Sequence, residues 1–246
     1  MNIDNLSEQY YNYSPYTYTA NNPIYYTDPD GQRIVIHYTV TNEDGEEENK
    51  EHIYEFGGSY DGDNQFIKDV YTSLNNILDN NADVTGVIKY LSGEDVGDVG
   101  IIKNTKKSNP LIKDSKYQTY HNNETNNIIY DPYQAGKFSN YNGFWSGIFG
   151  DEYERGVVSP SEALLHELGH AKSSLENNEQ HEKDRDPQTG RTFDAYSLRS
   201  EKKVIQNIEQ PASRKLGRKV VRKGHYGTFY KTVSPTSTKK AKTKNK

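Results

Sequence analysis

Apolar residues in this chain fall into a few short periodic runs separated by long polar stretches, and those runs alone can supply a core. Hydrophobic residues make up 32% of the chain, mean hydropathy is −1.03, and Tyr alone contributes 21 residues. The expectation is one domain of ordinary size, with a small core and long surface loops. No apolar run approaches the roughly 20 residues a membrane helix needs, so no membrane span is expected. The opening MNIDNLSEQYYNYSPY lacks the basic start and apolar stretch of a signal peptide, so export would need a route not encoded in these residues.

The chain has no cysteine, which removes disulfides and thiolate metal sites together. A bound metal must then be held by histidines and carboxylates, a donor set that favours a hydrolytic zinc over a structural one.

The periodic runs predict both strands and helices, an α+β chain. Ile34, Ile36, Tyr38 and Val40 alternate with Arg33, Val35, His37 and Thr39 as in a half-buried strand. Asn42-Glu43-Asp44-Gly45 supplies a turn, and 52–56 returns as the second strand of a hairpin. Asp63 is placed to cap a helix carrying Phe66, Ile67, Val70, Leu74, Ile77 and Leu78. A shorter helix over 84–91 and strands over 96–102 and 127–130 follow. Residues 132–157, rich in glycine and aromatics, read as a long loop.

The strongest helix signal begins at Ser159. Ser159 and Glu162 form a capping box, and Pro160 occupies the first helical position, where its missing N–H costs nothing. Leu164, Leu168, Ala171 and Leu175 form the stripe that must be buried. His166 and His170 stand one turn apart on a neighbouring face, a spacing that presents two imidazole nitrogens to one metal ion. Glu167, one step round the helix, is too displaced to be a third ligand but can take a proton from a metal-bound water as it attacks a carbonyl.

A third protein ligand would leave one coordination position open. Leu198, Val204, Ile205 and Ile208 define an apolar face with Glu201 near its centre, and a buried carboxylate there needs a partner. Glu201 is the leading candidate; Glu209, Asp194, Asp186 and His181 are the alternatives.

Two resemblances extend this reading. The segment YYNYSPYTYTANNPIYYTDPDG resembles the closing motif of the Rhs repeat-associated core and covers about an eighth of the chain. It implies that residues 1–31 are the end of a carrier shell, followed by a toxin domain that a specialised secretion system delivers into a target cell. Asp28 would lie at such a core's self-cleavage site, although a turn is its simpler use. From about Gly57 to Tyr226 the chain is similar to the effector-type M91 metallopeptidases, through Leu-Leu-His-Glu-Leu-Gly-His-Ala and a looser closing pattern. That pattern runs from Glu201 through Val204, Glu209-Gln210-Pro211 and Leu216-Gly217 to Arg222 and Tyr226, with Gln210 where Asn is expected. This resemblance implies a zincin-like fold with a small antiparallel sheet, a Glu ligand from the later helix, and Arg222 and Tyr226 as oxyanion donors.

The combined expectation is a zinc endopeptidase over 32–232, with Zn²⁺ held by His166, His170 and Glu201. Its partners would be a protein substrate in the target cell, lying along an edge strand near Ile128–Tyr130, and a cognate immunity protein. From Pro211 to Lys246 there are 12 Lys/Arg and no acid. That asymmetry sustains an alternative, a nucleic-acid-binding or nuclease toxin, but His121 is isolated in sequence and no second catalytic cluster is visible. Passive Rhs cargo is a further alternative. Residues 233–246 are expected to form a disordered basic tail.

Overall fold

The computed structural model describes residues 33–93, 97–105, 119–140, 154–224 and 227–242. Strands β1 (Ile34–Thr41) and β2 (Glu47–Ile53) form a hairpin about the expected turn, with Val35 opposite Ile53, but the second strand runs ahead of the 52–56 expected. Its turn is closed by the Asn42 side chain, which accepts from the Glu46 N–H at 2.8 Å, and by Gly45 at a φ of 82°. Helix α1 (Gln65–Asp79) starts one residue later than expected. Asn64, not Asp63, is the cap, its side chain accepting from the N–H groups of Phe66 and Ile67. Helix α2 (Val87–Leu91) follows, then β3 (Val99–Lys103), β4 (Tyr120–Asn122) and β5 (Asn127–Tyr130).

These five strands make one sheet in the order β2-β1-β3-β5-β4. β1/β3 and β3/β5 are parallel, while β2 and β4 pair antiparallel. The sheet is therefore mixed, so it is not the small antiparallel sheet expected. β5 lies inside it, so the edges among the described residues are β2 and β4, and Ile128–Tyr130 is not one of them. Ile34, Ile36, Val99, Ile101, Ile128 and Tyr130 share one cluster with α1 and with the Leu164, Leu165, Leu168 and Ala171 side chains of α3 (Pro160–Glu176). The predicted stripe of α3 is thus its buried side.

The presumed loop over 132–157 contains two strands, β6 (Gln134–Asn140) and β7 (Glu154–Val158). With β8 (Thr228–Lys231) they build a second, three-stranded antiparallel sheet in the order β7-β6-β8. Phe138 lies opposite Gly156, and a Cβ on that glycine would fall 2.2 Å from the ring. The glycine therefore gives the aromatic ring its place.

Helices α4 (Asn178–Arg185) and α5 (Arg199–Val204) follow α3. α5 runs into a π-helical turn, Ile205–Glu209, and on into α6 (Gln210–Lys215). Gly169 is where this composite helix crosses α3, since a Cβ there would meet Ile208 Cδ1 at 2.7 Å and Val204 Cγ1 at 3.1 Å. Residues 233–242, expected as disordered tail, fold back instead: Thr232 bridges Lys240, and the Pro235 carbonyl accepts from the Ser161 N–H at 3.0 Å.

Candidate metal centre

The capping box is formed as the sequence predicts. Ser159 Oγ faces the Glu162 N–H, and Glu162 Oε2 accepts from the Ser159 N–H at 2.8 Å. Glu162 is fully buried and also takes Ser213 Oγ at 2.7 Å and the Arg218 guanidinium. This network fixes the start of α3 against α6, and with it the direction in which the next turn points.

On that turn the Nε2 atoms of His166 and His170 lie 3.2 Å apart. Glu201, from α5, sets its two carboxylate oxygens 3.3 Å from each. The three side chains place one ligand atom each within 4.8 Å of one another and could hold a metal ion. Both histidines are only 5% exposed, so these nitrogens face each other and not water.

The electrostatics suit a cation. Burial lowers the His166 imidazole, but Glu201 and Glu209 outweigh it and push its pKa up to about 10. Burial raises the Glu201 carboxyl, yet His170 and His166 pull it well below the usual carboxylate range. A proton on His166 offsets the Glu201 and Glu209 carboxylates beside it, to which Arg222 adds a second positive charge. Two imidazoles and one carboxylate, with no thiolate, are a donor set suited to zinc or a similar divalent ion.

Glu167, between the two histidines in sequence, makes its hydrogen bond elsewhere. Its Oε2 accepts from the His121 N–H of the edge strand β4 at 2.9 Å. Burial raises its carboxyl above the ordinary range.

Glu209, an alternative ligand in the sequence, lies behind His166. Its Oε2 is 3.0 Å from Nδ1, the ring nitrogen away from Glu201. Arg222 grips Glu209 with two nitrogens, Nε at 2.9 Å and the second closer, and brings that second nitrogen 3.1 Å from His166 Nδ1. Arg222, expected as an oxyanion donor, is thus committed to the rear of the site. Arg222 and His166 draw the Glu209 carboxyl down to about 2 against the upward push of burial. Asn140, at the end of β6, clamps the chain on either side of Arg222, donating to the Val221 carbonyl and accepting from the Lys223 N–H, both at 2.8 Å. Gln210 donates to the Arg222 carbonyl at 2.7 Å. Tyr226, the other expected donor, lies outside the described residues, as do Asp28 and the rest of residues 1–31.

Of the remaining alternatives, Asp194 and Asp186 have partners elsewhere, and His181 packs against the cluster without joining it. Asp194 pairs with Lys202 at 2.9 Å, and Asp186 accepts from the N–H groups of Gln188 and Thr189. His181, on α4, packs its ring 5.9 Å from His170 and 6.4 Å from His121. His121, isolated in sequence, is therefore part of the site's surroundings. Burial holds His121 and His181 neutral, with pKa values lowered to about 4 and about 3. Sequence reasoning missed three contributors: the His121 backbone, Asn140, and Glu209 as a support for His166.

No family model matches the chain, and neither a curated protein nor a solved structure is found similar to it.

Proposed function

We propose that this chain is a zinc-dependent endopeptidase with a zincin-type site, His166, His170 and Glu201 being the ligands and Glu167 the general base. The observation that carries the reading is the placement of Glu167. It sits next to the three-residue cluster on the same helix, with its carboxylate turned to the edge of the sheet and not to the ligands. Bound zinc supplies Lewis acidity, which acidifies a water and polarises a carbonyl. Glu167 takes the proton of the attacking water and returns it to the leaving amine, and its burial suits it to hold that proton in between. Substrate is held in extended form beside β4, the sheet edge that adjoins Glu167. Arg222 and Glu209 keep the His166 ring in place, which reassigns Arg222 from oxyanion donor to positioning residue.

The toxin context rests on the resemblance of residues 1–31 to an Rhs core, with a delivered domain and an immunity partner as its corollaries. No helix among the described residues is long and apolar enough to cross a membrane. The basic C-terminal stretch gives the nucleic-acid reading less support than its charge count suggests, because four of its twelve cations pair with acids of the same chain. Arg218 pairs with Glu162, Arg222 with Glu209, Lys223 with Glu154 and Lys231 with Asp131.

The test is proteolysis of a recipient-cell lysate, read by mass spectrometry of newly formed N-termini. Wild-type protein generates new termini, and Glu167→Gln, still carrying its metal, loses cleavage by about 10²-fold or more. Equal cleavage by the two proteins would remove Glu167 from the mechanism.

A further inference from the structure

The two histidines of the cluster are supported differently. His166 Nδ1 has Glu209 and Arg222 beside it, whereas His170 Nδ1 is buried and has no hydrogen-bond partner within the protein. An imidazole that ligates through Nε2 carries its proton on Nδ1, and the partner of that N–H fixes the tautomer and the plane of the ring. Next to His170, at an interplanar angle of 63°, stands His181, itself 4% exposed. Its Nε2 is likewise buried and partnerless. A third such atom is Ser200 Oγ, in the residue before Glu201. His181 and Ser200 both line a cavity of about 260 Å³ between α3, α4 and α5, together with Asn177, Asp184 and Lys203.

That cavity is lined by Val204 and Ile208 as well as by polar side chains and is large enough for water, and an ordered water beside buried polar atoms makes two to four hydrogen bonds. The surrounding helices are pinned to one another. Asp184 on α4 pairs with Lys203 and Arg199 on α5, and Gln180 donates to Asp184 at 2.9 Å. His181 is thereby held against the helix that brings Glu201 into the cluster.

We propose that His181 is a positioning residue for His170, acting through one ordered water that accepts the His170 Nδ1–H and donates to His181 Nε2, with Ser200 Oγ as its third partner. This inference rests on the metal-centre reading above. It makes the supports of the two ligands unlike: a charged pair, Glu209 and Arg222, behind His166, and a neutral hydrated one behind His170.

The experiment uses the full chain loaded with Co²⁺, with affinity read by chelator competition and geometry by the visible d–d spectrum. His181→Phe weakens binding by about tenfold or more and changes the spectrum, because the His170 ring loses its restraint. His181→Gln, whose side-chain oxygen can accept from the same water, restores most of the affinity and the wild-type spectrum. Ser200→Ala, a smaller perturbation of folding, weakens binding a few-fold. The proposal is overturned if His181→Phe, or Ser200→Ala where the former does not fold, binds Co²⁺ as wild type does with an unaltered spectrum. It is also overturned if Gln and Phe at 181 are equally weak, which marks a packing role. Wild-type protein that binds no Co²⁺ or Zn²⁺ would instead bring down the metal reading itself.

Discussion

His166 holds the most heavily committed imidazole of the described residues, with Glu201 at Nε2 and both Glu209 and Arg222 at Nδ1. A carboxylate on the far nitrogen orients a ligating histidine and makes it a better donor. Glu209→Gln keeps the shape and removes the charge. The account expects metal affinity to fall by about 10- to 100-fold with the fold retained, measured by chelator competition beside a thermal melt. Unchanged affinity would reduce Glu209 to a counter-ion for Arg222. The residues of the site were unequally legible in the sequence. His166, Glu167 and His170 announce themselves because helical spacing alone fixes their relation. Glu201 stood out as an acid in the middle of an apolar face. The role of Glu209 was hidden because it depends on Arg222, 13 residues later, and on a clamp from Asn140 that no local pattern encodes. His121 was hidden for a different reason, since it contributes a backbone N–H that carries no side-chain signature.

Between Glu201 and Glu209 the helix changes its winding. On an unbroken α-helix eight residues leave two side chains about 80° apart around the axis. A π-helical turn is wider, about 4.4 residues, and the five residues Ile205–Glu209 bring the two carboxylates back to nearly the same side. Both can then reach one histidine ring, Glu201 at one nitrogen and Glu209 at the other. Deleting Asn207, an exposed residue of that turn, should restore α-helical winding, and seven residues then leave Glu209 only about 20° from Glu201, still on the His166 side. Circular dichroism is expected to show helix content preserved and chelator competition a metal affinity within a few-fold of wild type; a loss of about tenfold or more would show that facing direction alone does not place Glu209. Hydrophobic period cannot reveal a π turn, because Val204, Ile205 and Ile208 fit a regular helix as well. The helix start of α3 was legible to the residue, since Ser159, Pro160 and Glu162 specify it through local chemistry. The β6/β7 pair was not. Gly136 and Gly156 interrupt its apolar alternation, and both are explained only by cross-strand neighbours, Val158 and Phe138.

The molecule as a whole uses one sheet to seat α3 and another to hold its rear. The mixed sheet buries α1 and α3 on one face, and the small antiparallel sheet carries Asn140 and ends beside the first turn of α3. The final stretch closes that second region, since the Pro235 carbonyl accepts from both the N–H and the Oγ of Ser161. Composition concealed this, because a lysine- and threonine-rich segment docked through its backbone looks like a solvated tail. Removing residues 233–246 takes the Pro235 carbonyl from both Ser161 donors, and urea unfolding is expected to show a loss of about 1–3 kcal/mol. No change in stability would mean that the docking is superficial. The central claim, that His166, His170 and Glu201 grip a single metal ion, is tested most directly by elemental analysis of the purified chain by inductively coupled plasma mass spectrometry. The account predicts about one zinc per chain in the wild type and essentially none in a folded His166→Ala variant. Wild-type protein without stoichiometric metal, or a variant that keeps it, would contradict the account.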